Sequence, residues 1–224
     1  MSRRAAYATP NTNLKPMPNC IRVAVIDSGV HLKHPHIGPI AGGLSFGPTT
    51  PSFQDGLGHG TAVMAAIQEK APEAEYYALR VFHSALRARV EHLLEALDWC
   101  VNNKIDIVNL SLGTANQAHA GLFEAFLKDA GNLTVIAAAG SLPGTLSGVI
   151  AVDLDPDCDR DTYRYRPATN DFATSGHPRP IPGVPQQYNL QGISFAVANF
   201  TGIAARACVR TPVRGCEAIR QVLK

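Results

Sequence analysis

The stretch Gly192-Ile193-Ser194-Phe195-Ala196, continued by Val197-Ala198-Asn199-Phe200-Thr201-Gly202, places one serine between a glycine and a run of small and apolar residues. The run is typical of a buried helix, with Ser194 near its first turn. A helix N-terminus offers unpaired N–H groups and the positive end of the helix dipole, which stabilise an oxygen anion that forms beside the serine. Taken alone, Ser194 is more simply explained as a helix cap, because serine is among the commonest capping residues.

Two other stretches change that interpretation. Val23-Ala24-Val25-Ile26-Asp27-Ser28-Gly29 is typical of an apolar strand that ends in a carboxylate, and Asp55-Gly56-Leu57-Gly58-His59-Gly60-Thr61-Ala62 frames a histidine with glycines at the start of an apolar helix. Glycines beside His59 let the backbone approach closely and leave the imidazole free to face Ser194. Aspartate, histidine and serine follow one another in one of the chain orders that a catalytic triad adopts. The order predicts a nucleophilic serine.

With these residues in view, the sequence resembles the subtilisin-like serine peptidases, or subtilases. The resemblance extends from about residue 21 to about residue 207. Four blocks carry it, in the family's order: Asp27-Ser28-Gly29, His59-Gly60-Thr61, Val108-Asn109-Leu110-Ser111-Leu112-Gly113 and Gly192-Ile193-Ser194-Phe195-Ala196. It implies a serine endopeptidase in which His59 takes the proton of Ser194, Asp27 orients the imidazole, and an acyl-enzyme forms and is hydrolysed.

The resemblance also implies where a peptide or protein substrate binds. In the family the substrate lies as an added β-strand between two chain edges, here residues 81–89 and Ser111 to Gly113. The implied substrate-binding residues are Ser111, Leu112, Gly113, Ala138, Ala139 and Gly140. Arg87 and Arg89 fall on the first edge, where they either favour acidic substrate residues or, as the simpler explanation, form a solvated face.

The sequence departs from the family at the oxyanion site. Ser141 stands where most subtilases have an asparagine that donates to the oxyanion, and a hydroxyl reaches less far than a carboxamide. The expected donors are therefore the backbone N–H of Ser194 and, more weakly, Ser141. Ile193 replaces the usual threonine before the serine, and Ala198 replaces the usual proline in the helix.

These departures leave three functions open. An active peptidase is favoured because the triad is complete, and a dedicated peptide is a candidate substrate because the chain is small and shows no secretion signal. The first alternative is a transpeptidase or macrocyclase, in which an amine replaces water at the acyl-enzyme. The second is a weak or inactive subtilase-like protein that binds a peptide without cutting it.

Strand-like and helix-like segments alternate along the chain, which predicts an α/β fold. The family resemblance makes this a three-layer subtilisin-like fold, with a mostly parallel sheet and helices on both faces. Residues 1–20 are predicted to form a flexible N-terminal arm, and residues 21–224 a single catalytic domain. Strands are expected at 21–26, 75–81, 105–110, 133–139 and 149–152, and helices at 61–70, 90–102, 120–129, 194–208 and 217–223.

Three segments are predicted to be irregular. Residues 39–54 are rich in glycine, proline and threonine and indicate a loop or a weak hairpin, and residues 178–185 are a proline-rich loop. Residues 153–171 carry aspartates at alternate positions. A solvated loop explains them better than a weak calcium site does, because the glycine and terminal glutamate of an EF-hand loop are missing.

No metal or cofactor is expected. His31, His34 and His36 lie close together in sequence, but no carboxylate or cysteine follows at ligand spacing. The inserted loop that helps many subtilases bind calcium is missing between the first helix and residue 75.

Composition sets the remaining limits. The 224 residues, 46% hydrophobic with a net charge of +2, suit one compact domain, and no basic patch interleaved with aromatic residues points to a nucleic-acid partner. The five cysteines form no zinc or disulfide pattern. The N-terminus lacks the apolar core of a signal peptide, and no apolar run could span a membrane. The chain is expected to be cytoplasmic, with no membrane partner.

Overall fold

The computed structural model describes residues 20–47 and 52–224. The predicted N-terminal arm lies outside these residues except for Cys20, as do residues 48–51 of the predicted loop at 39–54. The strands are β1 (Arg22–Asp27), β2 (Gly42–Ser45), β3 (Glu75–Arg80), β4 (Ile107–Leu110), β5 (Thr134–Ala138), β6 (Val149–Leu154), β7 (Arg164–Arg166) and β8 (Asp171–Thr174). The helices are α1 (His59–Gln68), α2 (Val90–Asn102), α3 (Ala120–Asp129), α4 (Ile193–Arg210) and α5 (Cys216–Val222), with short 3-10 turns at Gln117–His119 and Gln186–Tyr188.

The strands form one sheet in the order β2-β3-β1-β4-β5-β6-β8-β7. Every neighbouring pair is parallel except β7 and β8, which are antiparallel. The predicted α/β fold with a mostly parallel sheet is confirmed. The five predicted strands and five predicted helices are all present, with ends shifted by one or two residues.

Side chains on the two faces of the sheet enter two separate cores, because successive strand residues point in opposite directions. On one face Val23 and Val25 pack with apolar residues of α1, α4 and α5. On the other face Ala24 and Ile26 pack with residues of α2 and α3. Helices therefore cover both faces, which gives the predicted three layers.

Central strands place two of the four family blocks, those with Asp27 and Ser111, at one edge of the sheet. Asp27 is the last residue of β1, and Ser111 follows β4, which pairs directly with β1. The carboxyl ends of neighbouring parallel strands meet at the same edge, where ligands of open α/β sheets bind. The fold thus brings together blocks that lie far apart in sequence, as the hydrogen bond from the Ser111 hydroxyl to the Ser194 carbonyl, with a separation of 83, illustrates.

The prediction of a loop or hairpin at residues 39–54 is wrong for residues 42–45. They form an edge strand that pairs in parallel with β3, with Gly43 opposite Ala78. A side chain on Gly43 would collide with the backbone oxygen of Ala78 and the ring of Phe53, so the close approach requires a glycine. Glycine is a poor strand former, and for this reason the local sequence did not indicate a strand.

The predicted solvated loop at 153–171 also needs correction. Strand β6 continues to Leu154, and the hairpin of β7 and β8 adds an edge to the sheet. Asp171 is buried but makes a two-pronged ion pair with Arg166, with nitrogen–oxygen distances of 2.7 Å. The neighbouring Phe172 is apolar and fully buried, and its burial stabilises this short, charged segment as part of the sheet.

No helix in residues 20–47 and 52–224 combines the length and the apolar character needed to cross a bilayer.

Candidate active site

Asp27 and His59 form a buried hydrogen-bonded pair. His59 Nδ1 lies 2.8 Å from one carboxylate oxygen of Asp27 and 3.0 Å from the other. The Asp27 carboxylate is fully buried, and it also accepts a 2.7 Å hydrogen bond from the backbone N–H of Ser28. A buried carboxylate is stable only when it is paired in this way. The arrangement fixes the imidazole with Nδ1 protonated, so that Nε2 is free to accept a proton.

The surroundings raise the pKa of His59. Burial alone would lower this pKa, because it disfavours the imidazolium. The hydrogen bond that His59 donates to Asp27, the charge of Asp27, and the more distant charge of Asp55 outweigh burial, so the pKa of His59 lies above its ordinary value of 6.5. The site is therefore built to stabilise a positively charged imidazole.

The start of α1 is held in place by Asp55 and by contacts with the Asp27 block. The Asp55 carboxylate accepts hydrogen bonds from the N–H groups of Leu57, Gly58 and Thr61 and from the Thr61 hydroxyl. The N–H of Gly60 donates to the Ser28 hydroxyl at 2.8 Å. A side chain at Gly60 would overlap the carbonyl of Gly29, so glycine allows the helix to approach β1 closely enough for His59 to reach Asp27.

Ser194 is the second residue of α4 and faces the same cleft as His59. Its hydroxyl donates to the backbone carbonyl of Ser111 over 3.3 Å. Within residues 20–47 and 52–224, no hydrogen bond joins Ser194 to His59. Hydrogen bonds between catalytic groups are often long or absent without substrate and tighten when it binds.

A chain of buried polar side chains anchors the backbone of Ser194. The Thr201 hydroxyl donates to Asn109 over 3.0 Å, and the Asn109 amide donates to the Ser111 hydroxyl over 2.9 Å. The Ser111 hydroxyl in turn donates to the carbonyl of Ser194 over 2.9 Å. These hydrogen bonds connect the start of α4 to the end of β4 and fix the position of Ser194 relative to the edge of the sheet.

A cleft of about 440 Å³ runs past His59 and Ser194. We call it the main cleft. One wall is the segment 86–90 and the other is the segment 111–114, and buried apolar side chains form the floor between them: Phe82, Leu93, Phe123 and Leu142. The structure thus brings the predicted Ser111, Leu112 and Gly113 together with His59 and Ser194.

The other predicted substrate residues lie at the carboxyl end of β5. Ala139 and Gly140 line a more open cleft with Asp153, Arg166 and Asp171. Ala138 is a buried residue at the end of β5. Ala138 is the last residue of β5 and the other two follow it, and β5 lies two positions from β1 in the sheet.

Ser141 does not contact Ser194 through any hydrogen bond in the described parts of the chain. Its hydroxyl lies over the α-carbon of Gly113, where even a methyl group would collide with it. The backbone N–H of Ser194 has no acceptor among the described residues, as is normal for the first turn of a helix. Of the two predicted oxyanion donors, the N–H of Ser194 is therefore the better supported.

Several of the histidines and aspartates considered for metal binding have other partners. His31, His34 and His36 line a second cleft of about 390 Å³, and His34 Nδ1 accepts the backbone N–H of His36. Three of the aspartates at 153–161 form ion pairs: Asp153 with Arg166, Asp155 with Arg164 and Asp161 with Lys70. In the described ranges, no group of three or more His, Cys, Asp or Glu side chains is arranged to hold a metal.

Sequence reasoning missed two positioning residues. Asp55 belongs to the quoted histidine stretch but received no role, although an aspartate shortly before a helix can accept hydrogen bonds from the N–H groups of its first turn. Thr201 lies seven residues after Ser194, on the same face of α4 two turns later. A hydroxyl in an otherwise apolar buried helix was the available signal.

The chain is similar in sequence to known proteins. Residues 19–224 match the model of the subtilase family. The chain is 32% identical to Subtilisin BL of Lederbergia lenta over 227 residues, which cover 91% of this chain and 78% of the relative. It is 32% identical to M-protease of Shouchella clausii (strain KSM-K16) over 249 residues, which cover 100% of this chain but only 63% of that relative.

A solved structure described as a lanthipeptide protease has a similar fold. The TM-score is 0.68 with 17% sequence identity, and the match covers 90% of this chain and 78% of the other. At this identity the likeness is evidence for the fold alone.

We expect Thr201→Val to destabilise the protein by about 1–3 kcal/mol, because it leaves the buried side-chain amide oxygen of Asn109 without its donor. Urea unfolding measures the change. Thr211→Val is the matched control, since Thr211 is exposed at the end of α4, and its effect should stay within about 0.5 kcal/mol. Equal stability of Thr201→Val and the wild type would contradict a stabilising role for the hydrogen bonds among Thr201, Asn109 and Ser111.

We expect Asp27→Asn to lower the pKa of His59, because burial is then opposed only by the more distant charge of Asp55. NMR titration measures this pKa, with the His59→Gln spectrum identifying the resonance. Since the folded-state pKa is raised, the Asp27–His59 contact should stabilise the fold fully below pH 6.5 and less as the pH rises through the folded-state pKa. An unchanged His59 pKa in Asp27→Asn would show that the carboxylate is not its cause.

Proposed function

The chain belongs to the subtilase family, and on this basis we propose that it is a serine endopeptidase that acts through Asp27, His59 and Ser194. The observation that carries the proposal is the 2.8 Å pairing of His59 with a fully buried Asp27, in a cleft that also exposes Ser194. A purely structural histidine would not need a free Nε2 at the mouth of a peptide-sized cleft. Because the chain spans less than two thirds of some relatives, its activity and substrates remain proposals.

In the proposed reaction, the Ser194 oxygen forms a bond to the carbonyl carbon of the scissile peptide while its proton passes to His59 Nε2. Asp27 stabilises the imidazolium, which then gives the proton to the leaving amine as the C–N bond breaks. Water repeats the sequence on the acyl-enzyme and releases the acid. By precedent, loss of the Asp27 charge would cost about 10⁴-fold in turnover.

The hydrogen bond between the Ser194 hydroxyl and the Ser111 carbonyl suggests how substrate binding starts the reaction. The carbonyl of Ser111 accepts the Ser194 hydroxyl, and it lies on the edge that an extended substrate would pair with. A substrate N–H that donates to this carbonyl competes with the hydroxyl. Rotation about the Cα–Cβ bond of Ser194 then allows its hydroxyl to turn toward His59.

Unpaired backbone groups support binding of the substrate as an added strand. In the part of the chain that the structure describes, neither Leu112 nor Gly113 on one wall makes a backbone hydrogen bond, and neither does Ala88 on the other. The main cleft between them contains the apolar floor that would receive a substrate side chain. A peptide strand would satisfy these groups from both sides.

The finer choice of substrate and product also remains a proposal. Selective maturation of a dedicated peptide is supported by the fold shared with a lanthipeptide protease and by the altered oxyanion position Ser141. Transpeptidation and catalytically inactive peptide binding are the alternatives. The predicted cytoplasmic location stays a prediction.

We expect a fluorophosphonate probe to label the wild type at Ser194 and to leave Ser194→Ala unlabelled, because only an activated serine attacks phosphorus. His59→Gln should slow labelling by about 10²- to 10⁴-fold, the usual contribution of a general base. Mass spectrometry of the intact protein measures both. Wild-type labelling no faster than that of His59→Gln would favour a peptide-binding protein.

A second measurement separates hydrolysis from transpeptidation. Mass analysis of the peptide products shows a free acid after hydrolysis and a cyclised peptide after transpeptidation.

We expect Ser141→Ala to lower the turnover number by less than about tenfold, because the Ser141 hydroxyl lies against Gly113 and the N–H of Ser194 remains. Removal of a strong oxyanion donor costs about 10²- to 10³-fold. Steady-state kinetics on one peptide substrate measure the difference. A hundredfold loss would establish Ser141 as a full oxyanion donor.

A further inference from the structure

The charge of the main cleft is unbalanced. Arg87 and Arg89 are exposed and line the 86–90 wall, while His59 and His119 are the other ionisable side chains among the described lining residues. None of those lining residues is an aspartate or a glutamate. The wall beside the catalytic pair therefore presents positive charge to anything that enters.

These two arginines differ from most others in the molecule. Arginines outside the main cleft commonly pair with carboxylates, as Arg166 does with Asp171 at 2.7 Å and Arg214 does with Asp106 at 2.5 Å. Within residues 20–47 and 52–224, neither Arg87 nor Arg89 makes an ion pair or a side-chain hydrogen bond. An arginine with no internal partner keeps its full capacity to bind a carboxylate in a two-pronged manner.

The geometry of an extended peptide links these charges to a substrate pattern. Successive side chains of a strand point in opposite directions, so a residue that enters the apolar floor has neighbours that point away from it. The floor is made by Phe82, Leu93 and Phe123, and the arginines lie on the exposed wall beside it. When an apolar residue occupies the floor, the adjacent residue therefore points out of it, and Arg87 and Arg89 are the exposed charged residues that line this cleft.

We propose that Arg87 and Arg89 select peptides that carry an acidic residue next to the apolar residue held in the main cleft. This inference rests on the proposed function only in taking the occupant of the main cleft to be an extended peptide. It requires no cleavage. Because both arginines are exposed, the attraction is moderate and weakens as salt screens it.

Binding to Ser194→Ala tests the proposal without depending on catalysis. The probes are fluorescein-labelled octapeptides of alanine and leucine in which glutamate or glutamine occupies each position in turn, and fluorescence anisotropy gives the Kd. At one or two positions we expect glutamate to bind about two- to tenfold more tightly than glutamine at low salt, with the preference shrinking in 0.5 M NaCl.

Variants of the Ser194→Ala background assign the preference. Arg87→Gln with Arg89→Gln should abolish it, and Arg87→Glu with Arg89→Glu should reverse it. Arg210→Gln is the matched control, because Arg210 is exposed at the far end of α4, about 25 Å of helix from Ser194. It should leave the preference intact.

Several results would overturn the proposal: equal binding of glutamate and glutamine peptides at every position, no peptide binding at all, or a preference that survives the double glutamine variant. Failure of the endopeptidase proposal looks different. In that case Ser194 stays unlabelled by fluorophosphonate, while the glutamate preference in Ser194→Ala binding persists.

Discussion

The pairing of His59 with the fully buried Asp27 is the contact on which the rest of the site depends. A carboxylate that is removed from water needs hydrogen-bond donors, and here the imidazole and the N–H of Ser28 supply them. The same contact raises the pKa of His59 and fixes its tautomer. One interaction thus stabilises a buried charge and prepares a base.

Several small structural features keep that pair in place. Asp55 organises the first turn of α1, and the absence of a side chain at Gly60 lets the helix approach β1. On the serine side, Asn109 and Thr201 link the end of β4 to the start of α4. Both elements that carry reacting groups are therefore held by buried hydrogen bonds to the sheet, which restricts their movement relative to each other.

The main cleft beside the buried pair is built differently. Its two walls carry backbone groups without hydrogen-bond partners among the described residues, which suit the proposed pairing with an extended peptide. The apolar floor and two exposed arginines line the same cleft, and they are the groups on which the proposed selectivity rests.

The sequence by itself determined the fold class and the central strands and helices, and it singled out Asp27, His59 and Ser194 as candidate site residues. These features follow from local apolar patterns and short motifs, which one stretch of chain can carry. It did not predict β2, β7 or β8, because Gly43 and Asp171 are poor strand residues in isolation and lie in strands only through partners such as Ala78 and Arg166. Only the tertiary structure placed the Ser141 hydroxyl against Gly113, turned the Ser194 hydroxyl to Ser111 and revealed Thr201, since each depends on contacts between distant segments.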